Sequence, residues 1–291
     1  MQNSLVFERG TAMRRRHFMK TIGGVAAGWP LAACAQQDDR IRALQTRILR
    51  LQAEAAASEI RQFIEEIIRQ VGWTTQLPWT TTPGFTRWPN DPLDQRRFDA
   101  LRLLRAVPAI TDVVQLDGNG NERLRSSRAA ADVIDSLADF SKEPKFTEAM
   151  AKKVYYGPVY LRRQSEPFMT LSCAGTRREY GVIVVEVGLK PVWDVVRTMK
   201  VGQRGIAYVV NAQGRLIAHP DISLAIRNMD FSSLPQVEAA RGINTSMGIA
   251  QAMSGKDING HEVLVAYTTI PQLGWQVFAE VLVEDADSLA R

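Results

Sequence analysis

A twelve-residue segment occurs twice in this chain, and this internal repeat limits the possible folds more than any other feature. DFSKEPKFTEAM begins at Asp139, and DFSSLPQVEAAR begins at Asp230, 91 residues later. The two copies share five identical positions. Gly120 and Gly214, which precede the two copies, are 94 residues apart, so nearly the same offset holds outside the segment. Ordered matches at a nearly constant offset indicate that one folding unit has been duplicated.

The same order of predicted elements surrounds each copy of the repeated segment. VVQLDGNGNERLRSS before the first copy and IAYVVNAQGRLIAHP before the second alternate around a glycine turn, which predicts two β-hairpins. The strands predicted after the two copies are VYYGPVYLRR, FMTLSCAG and YGVIVVEVGL, then EVLVAYTTI and GWQVFAEVLV. Helices are predicted to begin near Pro191 and Glu284. The repeated segment is predicted to lead into a helix that Asp or Ser caps, that Phe packs onto the sheet, and that has Pro near its start.

A long helix is predicted over residues 38–72, which contain no Pro and no Gly before Gly72. Its apolar residues recur at spacings of three and four, which indicates an amphipathic helix of about 50 Å. These residues are Ile41, Leu44, Ile48, Leu51, Ala55, Ile60, Phe63, Ile64, Ile67 and Val71. The first half suits pairing with a second copy of the chain as well as packing on its own domain. Residues 73–95 are rich in Pro, Thr and Trp, which predicts a loop.

The N-terminal 33 residues have the pattern of a signal peptide, because a basic stretch precedes a short apolar run. That run has thirteen residues, too few to span a membrane. The basic stretch resembles the twin-arginine export signal, and the end of the run, up to Cys34, resembles the box that lipoprotein signal peptidase cuts. We therefore expect the chain at the periplasmic face of a bacterial inner membrane, held by a lipid on Cys34 or by the uncleaved signal. The residues that match the export signal are Arg15, Arg16, Phe18 and Lys20.

Charge and composition argue against several functions. The formal charge is +5, but residues 1–33 contribute +4, so the remainder is nearly neutral and a nucleic-acid partner is not expected. His219 and His261 have no Cys, Asp or Glu at metal-ligand spacing, so neither a metal nor another cofactor is expected. The chain has no nucleophile elbow and no phosphate-binding glycine loop, which predicts that it is not an enzyme.

Two residues with reactive side chains are predicted to be structural. His219 stands beside Pro220 and Asp221 without a nucleophile nearby in sequence, which favours a turn held by side-chain hydrogen bonds over a catalytic pair. Cys173 lies in the middle of an apolar strand and is predicted to be a small core residue.

The whole pattern resembles the double Cache sensor domain, most closely in GIAYVVNAQGRLIAHPDISLAIR from Gly205 to Arg227. The resemblance implies an α+β fold: a long N-terminal helix followed by two tandem PAS-like Cache modules, each an antiparallel sheet flanked by helices. The membrane-distal module is expected over residues 73–190 and the membrane-proximal module over residues 191–285.

The resemblance also implies a function, since double Cache domains are extracytoplasmic input domains of chemoreceptors, histidine kinases and nucleotide cyclases. We therefore expect a sensory domain that binds a small organic ligand, which could be an anion, and reports it to a membrane signalling protein. The sequence stops at Arg291 without a second membrane span or an output domain. Two alternatives stay open: a structural or assembly lipoprotein that pairs through its N-terminal helix, and a stand-alone fragment of a receptor's input region.

Candidate ligand-binding residues come from the distal module. Amino-acid-sensing Cache domains carry Arg, Trp and Tyr at the start of the distal helix, but here residues 143–146 read Glu-Pro-Lys-Phe, so that specificity is not transferred. Strand alternation predicts that Tyr156, Tyr160 and Arg162 share one face, where aromatic rings and a guanidinium suit a small carboxylate. The alternative is that these aromatic residues belong to the core. The candidate set is Phe146, Tyr155, Tyr156, Tyr160 and Arg162.

Overall fold

The computed structural model describes residues 29–75, 92–202, 204–242 and 251–284, and within them the expected α+β architecture is confirmed. Helix α1 runs from Trp29 to Thr74, so it contains the whole predicted range 38–72 and begins nine residues earlier. The elements that follow up to the first sheet's last strand are α2 (Pro92–Ala106), β1 (Ile110–Leu116), β2 (Glu122–Ser127), β3 (Val133–Ile134), α3 (Pro144–Lys152), β4 (Val154–Arg162), β5 (Glu166–Ala174) and β6 (Val182–Gly188).

The second half of the chain repeats this arrangement with a shorter set of elements. Its elements are α4 (Lys190–Thr198), β7 (Ile206–Val210), β8 (Leu216–Ala218), α5 (Ile222–Ile226), α6 (Pro235–Gly242), β9 (Gln251–Lys256), β10 (Glu262–Ile270) and β11 (Trp275–Leu282).

Both halves form antiparallel sheets with the same connectivity. The first sheet has the order β3-β2-β1-β6-β5-β4, and the second has the order β8-β7-β11-β10-β9. In each sheet the last strand of the unit lies beside the first strand, and an N-terminal hairpin extends the sheet on one side. Apart from the short strand β3, the two orders are equivalent, as a duplication requires.

The repeated segment forms the same turn in both halves. The backbone N–H of Phe140 donates to the carbonyl oxygen of Gly120 at 2.8 Å, and that of Phe231 donates to Gly214 at 2.9 Å. The Asp139 carboxylate accepts a hydrogen bond from the Ser141 backbone, and the Asp230 carboxylate accepts one from Ser232. The side chain of the repeated Asp therefore closes a three-residue turn with the backbone N–H two positions later.

The expectation that Asp or Ser caps the following helix is wrong for α3. Glu143 occupies the N-cap position there without a side-chain hydrogen bond, and Pro144 is the first helical residue. Proline suits that position because its missing N–H would have no partner inside the helix.

Glycine is required where each hairpin turn touches the repeated segment. Gly120 has φ +91° and Gly214 has φ +84°, a left-handed conformation that other residues adopt at a cost. A Cβ atom on Gly120 would lie 2.6 Å from the Cα atom of Ser141, and one on Gly214 would lie 2.8 Å from the Cα atom of Ser232. The same close contact between the hairpin turn and the repeated segment therefore occurs in both halves.

Helix α1 packs against both sheets. Its C-terminal half buries Ile60, Ile64 and Ile67 in the large core cluster that includes residues of both sheets. Toward its N-terminal end, Leu49 and Ala53 pack on a group of alanines in the second sheet. Small side chains there let the helix backbone approach the strands closely. Burial of each large apolar side chain, such as Leu49 or Ile60, contributes about 1.5–3 kcal/mol to the stability of the folded protein. The alanines in contact are Ala207, Ala266 and Ala279.

Helices α2 and α5 and strands β3 and β9 were not expected from the sequence. Helix α2 begins at Pro92, inside the stretch predicted to be a loop, and strand β9 lies at the edge of the second sheet. Residues 76–91 of the predicted loop lie outside the described residues, as do residues 285–291, which contain most of the final helix predicted to begin near Glu284. None of the helices in the described part of the chain is both long and apolar enough to cross a membrane.

Candidate functional site

The first sheet has one apolar face and one face that is partly polar. Val113 pairs with Val185, and both are buried in the core cluster that α1 covers. Asp112 pairs with Glu186, and Glu186 also pairs with Thr170, so these three residues lie on the opposite face. We call this second surface the polar face of the first sheet.

A β-bulge in β4 decides which tyrosines reach the polar face. Tyr156 pairs with Leu171 while Val159 pairs with Met169, so one extra residue is inserted between the two pairs. Tyr156 and Val159 therefore share the apolar face, although they are three positions apart, and Tyr160 lies on the polar face. The prediction that Tyr156 shares a face with Tyr160 is wrong, because the bulge shifts the alternation by one residue. Tyr156 instead packs against the main core.

Arg162 lies on the polar face and binds Asp112. Its Nη1 atom donates to Oδ2 of Asp112 and to Oγ1 of Thr111, each at 3.0 Å. The Asp112 carboxylate also accepts hydrogen bonds from Thr111 at 2.7 Å and from Ser127 at 2.6 Å. The guanidinium and the carboxylate are thus held in place by hydroxyl groups from two strands.

Tyr160 and Glu186 form the second half of this polar group. The Tyr160 hydroxyl donates to Oε2 of Glu186 at 2.5 Å, and Thr170 Oγ1 donates to the same carboxylate at 2.9 Å. Nη2 of Arg162 reaches the Tyr160 hydroxyl at 3.5 Å, which links the two halves. We call these residues the charged cluster: Thr111, Asp112, Tyr160, Arg162, Thr170 and Glu186.

An apolar ring lies beside the charged cluster. The Phe168 side chain is buried, and Cζ of Arg162 lies 4.1 Å from its ring centroid, a cation–π geometry. A cavity of about 600 Å³ begins at Thr111 and Phe168 and extends toward Trp193 and Arg197 of α4. Thr111 is the residue of the charged cluster that lines this cavity. Tyr160 is 37% exposed and the Arg162 side chain 33% exposed, so the cluster itself is accessible from solvent.

The pKa shifts show that the cluster carries fixed charges. Burial raises the pKa of Asp112, but hydrogen bonds from Ser127, Thr111 and Arg162 outweigh that effect, so the pKa lies below the usual Asp value. Burial, and then the Glu186 carboxylate, raise the pKa of Tyr160 to about 12. At neutral pH Asp112 is ionised and Tyr160 is a neutral hydrogen-bond donor.

Phe146 and Tyr155 lie at another part of the same face. Phe146 of α3 is buried in a cluster with Leu116 and Val184, and Tyr155 packs against that cluster. Both residues attach α3 to the sheet. They therefore fit the alternative interpretation, in which the aromatic residues belong to the core. Of the five predicted ligand-binding residues, only Tyr160 and Arg162 belong to the charged cluster.

Sequence reasoning missed the acidic half of the charged cluster. Asp112 lies in ITDVVQL and Glu186 lies in VIVVEVG, where each is a single charge inside an apolar strand. A charge in such a strand is costly to bury without partners, so its presence was a usable signal of a polar face.

The two other predictions for single residues are confirmed. Nδ1 of His219 accepts a hydrogen bond from the Asp221 backbone at 2.9 Å, and Asp221 accepts one from Ser223, so the segment is a turn held by side chains. Cys173 is buried, and burial raises the pKa of its thiol to about 12. Within the described residues, no three His, Cys, Asp or Glu side chains are grouped as a metal site.

The predicted export signal at Arg15, Arg16, Phe18 and Lys20 lies outside the described residues. The backbone at Cys34 belongs to α1, and its side chain also lies outside the described part of the chain.

Comparisons with known proteins agree with this fold. A model of the Cache domain family, dCache_1, matches residues 35–290, whereas no curated protein matches the chain. Among solved structures, the extracellular domain of a protein named as a histidine kinase, mmHK1S-Z2, has a TM-score of 0.66 at 15% identity, with 84% of this chain and 99% of that chain covered. The sensory domain of the Campylobacter jejuni chemoreceptor Tlp3 has a TM-score of 0.65 at 15% identity, with 88% and 99% covered. The ligand-binding domain of Mlp24 with asparagine has a TM-score of 0.55 at 14% identity, with 87% and 98% covered.

Proposed function

This chain belongs to the Cache domain family, and on that premise we propose that it is an extracytoplasmic sensory domain that binds a small molecule and reports it to a membrane signalling protein. The observation that carries the proposal is the charged cluster on the polar face of the first sheet. Its groups are oriented by hydrogen bonds before any ligand arrives, which lowers the cost of binding. We propose that this site binds a ligand and does not catalyse a reaction.

The chemistry of the charged cluster favours a ligand with both an amine and an anionic group. Asp112 and Glu186 can accept hydrogen bonds from an ammonium group, since each carboxylate has about four lone-pair sites. The Arg162 guanidinium can donate to an anionic oxygen with the N–H groups that Asp112 leaves over. A structure of the Tlp3 sensory domain has isoleucine bound, and that of Mlp24 has asparagine, which supports a small amino acid as the first class to test.

Binding to the charged cluster can be tested by thermal-shift screening followed by calorimetry on the chain. We expect a hit among small amino acids to bind about ten-fold or more weakly to Asp112→Asn and to Glu186→Gln, because each change removes one charged hydrogen-bond partner. Glu179→Gln makes the same chemical change at an exposed carboxylate away from the cluster and should bind like the wild type. A flat response across amino acids, amines, organic acids and purines would contradict the proposal.

We place the domain outside the cytoplasm on the basis of its family and of the predicted export signal. Arg15→Lys together with Arg16→Lys should retain the full chain in the cytoplasm, since the twin-arginine route depends on both arginines. Fractionation of cells that express the full chain measures this. Recovery of the wild-type chain in the cytoplasm would contradict the location. Palmitate labelling of the wild type and of Cys34→Ser distinguishes a lipid anchor from an uncleaved signal.

Helix α1 supports a homodimer as part of this function. Leu44, Ile48 and Leu51 form an exposed apolar stripe on the helix, whereas the apolar residues that face the two sheets, such as Leu49 and Ile60, are buried. The spacing of four and three residues suits a helix-to-helix seam. We propose that a second copy of this chain covers the stripe.

A further inference from the structure

The second sheet encloses a cavity of about 240 Å³ on its side away from α1. The alanines that contact α1 alternate along their strands with residues of the opposite face, and that opposite face lines the cavity. The buried and half-buried apolar part of the lining is Ile206, Tyr208, Phe231, Leu234, Val263, Val281 and Leu282. Arg204, Ile258 and Asn259, which also line it, are exposed and mark its open side.

One acidic residue, Glu280, is buried in this lining. It is 5% exposed and lies on β11 between Ile206 of β7 and Val265 of β10. Its Oε2 atom has no hydrogen-bond partner among the described residues, although the Tyr208 hydroxyl and the Gln236 amide both interact with the carboxyl group. An unpartnered carboxyl oxygen inside a protein costs free energy, so a bound hydrogen-bond donor would be stabilised at this position.

Other polar residues around Glu280 are held in place. Gln236 Nε2 donates to the Tyr208 hydroxyl at 3.2 Å and to the Lys256 carbonyl oxygen at 2.8 Å. A Cβ atom on Gly255 would lie 2.5 Å from Oε1 of Gln236, so glycine is what lets this amide reach the strand. His219, which also lines the cavity, accepts the Asp221 backbone N–H at Nδ1, so the neutral ring carries its proton on Nε2.

We propose that this cavity is a second small-molecule site, separate from the charged cluster, and that it takes a short-chain apolar amine whose ammonium group pairs with Glu280. An ammonium group supplies three donors and the opposite charge, whereas an alcohol supplies one donor and no charge. A carboxylate ligand would face Glu280 and Asp257 at once. The cavity is smaller than a usual drug-sized pocket, which fits a short aliphatic body against the aromatic wall.

The pKa values agree with this geometry. Burial raises the pKa of Glu280 to about 7, and burial lowers the pKa of His219. At neutral pH the cavity therefore holds a neutral imidazole and a carboxyl group that a cation would fully ionise.

Calorimetric titration of the full chain with isoamylamine tests the proposal, with isovalerate and isoamyl alcohol as matched probes. We expect saturable binding of isoamylamine and at least about ten-fold weaker binding to Glu280→Gln, which keeps the shape of the side chain. Glu238→Gln changes an exposed carboxylate of the same half and should bind like the wild type. Asp112→Asn should also leave this binding unchanged, so the result is independent of the proposed function of the charged cluster.

NMR mapping on the wild type keeps the test decisive if Glu280→Gln does not fold. Isoamylamine should shift the amide signals of Ile206, Val263 and Leu282. No saturable binding, equal binding of isovalerate, or shifts confined to the first sheet would each overturn the proposal.

Discussion

Glu280 shows how one buried side chain links the stability of this protein to pH. Its pKa is raised to about 7, chiefly by burial and also by the Asp257 charge, whereas hydrogen bonds from Tyr208 and Gln236 act in the opposite direction. In the unfolded chain an ordinary Glu has a pKa of about 4.3. The folded state therefore binds this proton more tightly, and its contribution to stability is complete below the unfolded pKa and is lost as the pH rises toward 7.

The difference in stability between Glu280→Gln and the wild type should accordingly grow with pH. Between pH 4.5 and pH 8 we expect the mutant to gain on the order of 3 kcal/mol over the wild type, because the amide has no proton to lose. Urea denaturation at both pH values measures the free energy of unfolding. Comparison of the two proteins cancels the opposing effect of carboxylates such as Asp112, whose pKa lies below its usual value.

Glu238→Gln is the matched control for this experiment, because its carboxylate is exposed. Its stability should follow the wild type at both pH values. Parallel stability curves for Glu280→Gln and the wild type would show that Glu280 is not buried in the folded protein.

At the scale of elements, α1 presents different faces to different surroundings. Leu49 and Ala53 are buried on the second sheet, whereas Leu44, Ile48 and Leu51 are 59%, 51% and 57% exposed. The sequence prediction grouped Leu44, Ile48 and Leu51 with the residues that the C-terminal half of α1 buries. In the structure, the N-terminal half of α1 contacts the second sheet through Leu49 and Ala53. Leu44, Ile48 and Leu51 lie on a different side of the helix and stay exposed.

Ile48→Asp should weaken the proposed dimer. Burying an isoleucine in a helix seam contributes about 1.5–3 kcal/mol, so placing a charge there should raise the dimer dissociation constant about ten-fold or more. Ala43→Asp adds the same charge to an exposed position beside the stripe and should have a much smaller effect. Sedimentation velocity over a range of concentrations gives both constants. A wild-type chain that stays monomeric at every concentration would refute the dimer.

At the scale of the whole molecule, the charged cluster and the cavity of the second sheet are placed in the same way relative to α1. Each lies on the face of its sheet that α1 does not cover, and α1 contacts strands of both sheets. Trp193 of α4 joins the halves further, since its indole donates to the carbonyl oxygen of Ile217 at 2.7 Å inside the shared core. A ligand in either sheet would therefore act on a framework that includes α1.

Much of this architecture was predictable because it depends on local patterns. The hairpins at Gly120 and Gly214, the strands from β4 to β6, and β10 with β11 follow from alternation and turn chemistry. Strand β9, with the sequence QAMSGK, has no β-branched or aromatic residue, so its pairing with β10 is what makes it a strand. Helix α2 was missed because its first residue, Pro92, continues the composition of the preceding proline-containing loop.

The sequence by itself determined that one sheet-and-helix unit occurs twice behind a long helix, since a repeat and its hydrophobic periods are properties of the chain alone. Only the tertiary structure decided which side chains meet. One inserted residue in β4 turned Tyr156 away from Tyr160 and Arg162, and pairing between β1 and β6 placed Asp112 and Glu186 beside them. Burial and side-chain partners depend on residues far apart in sequence, and no local pattern encodes them.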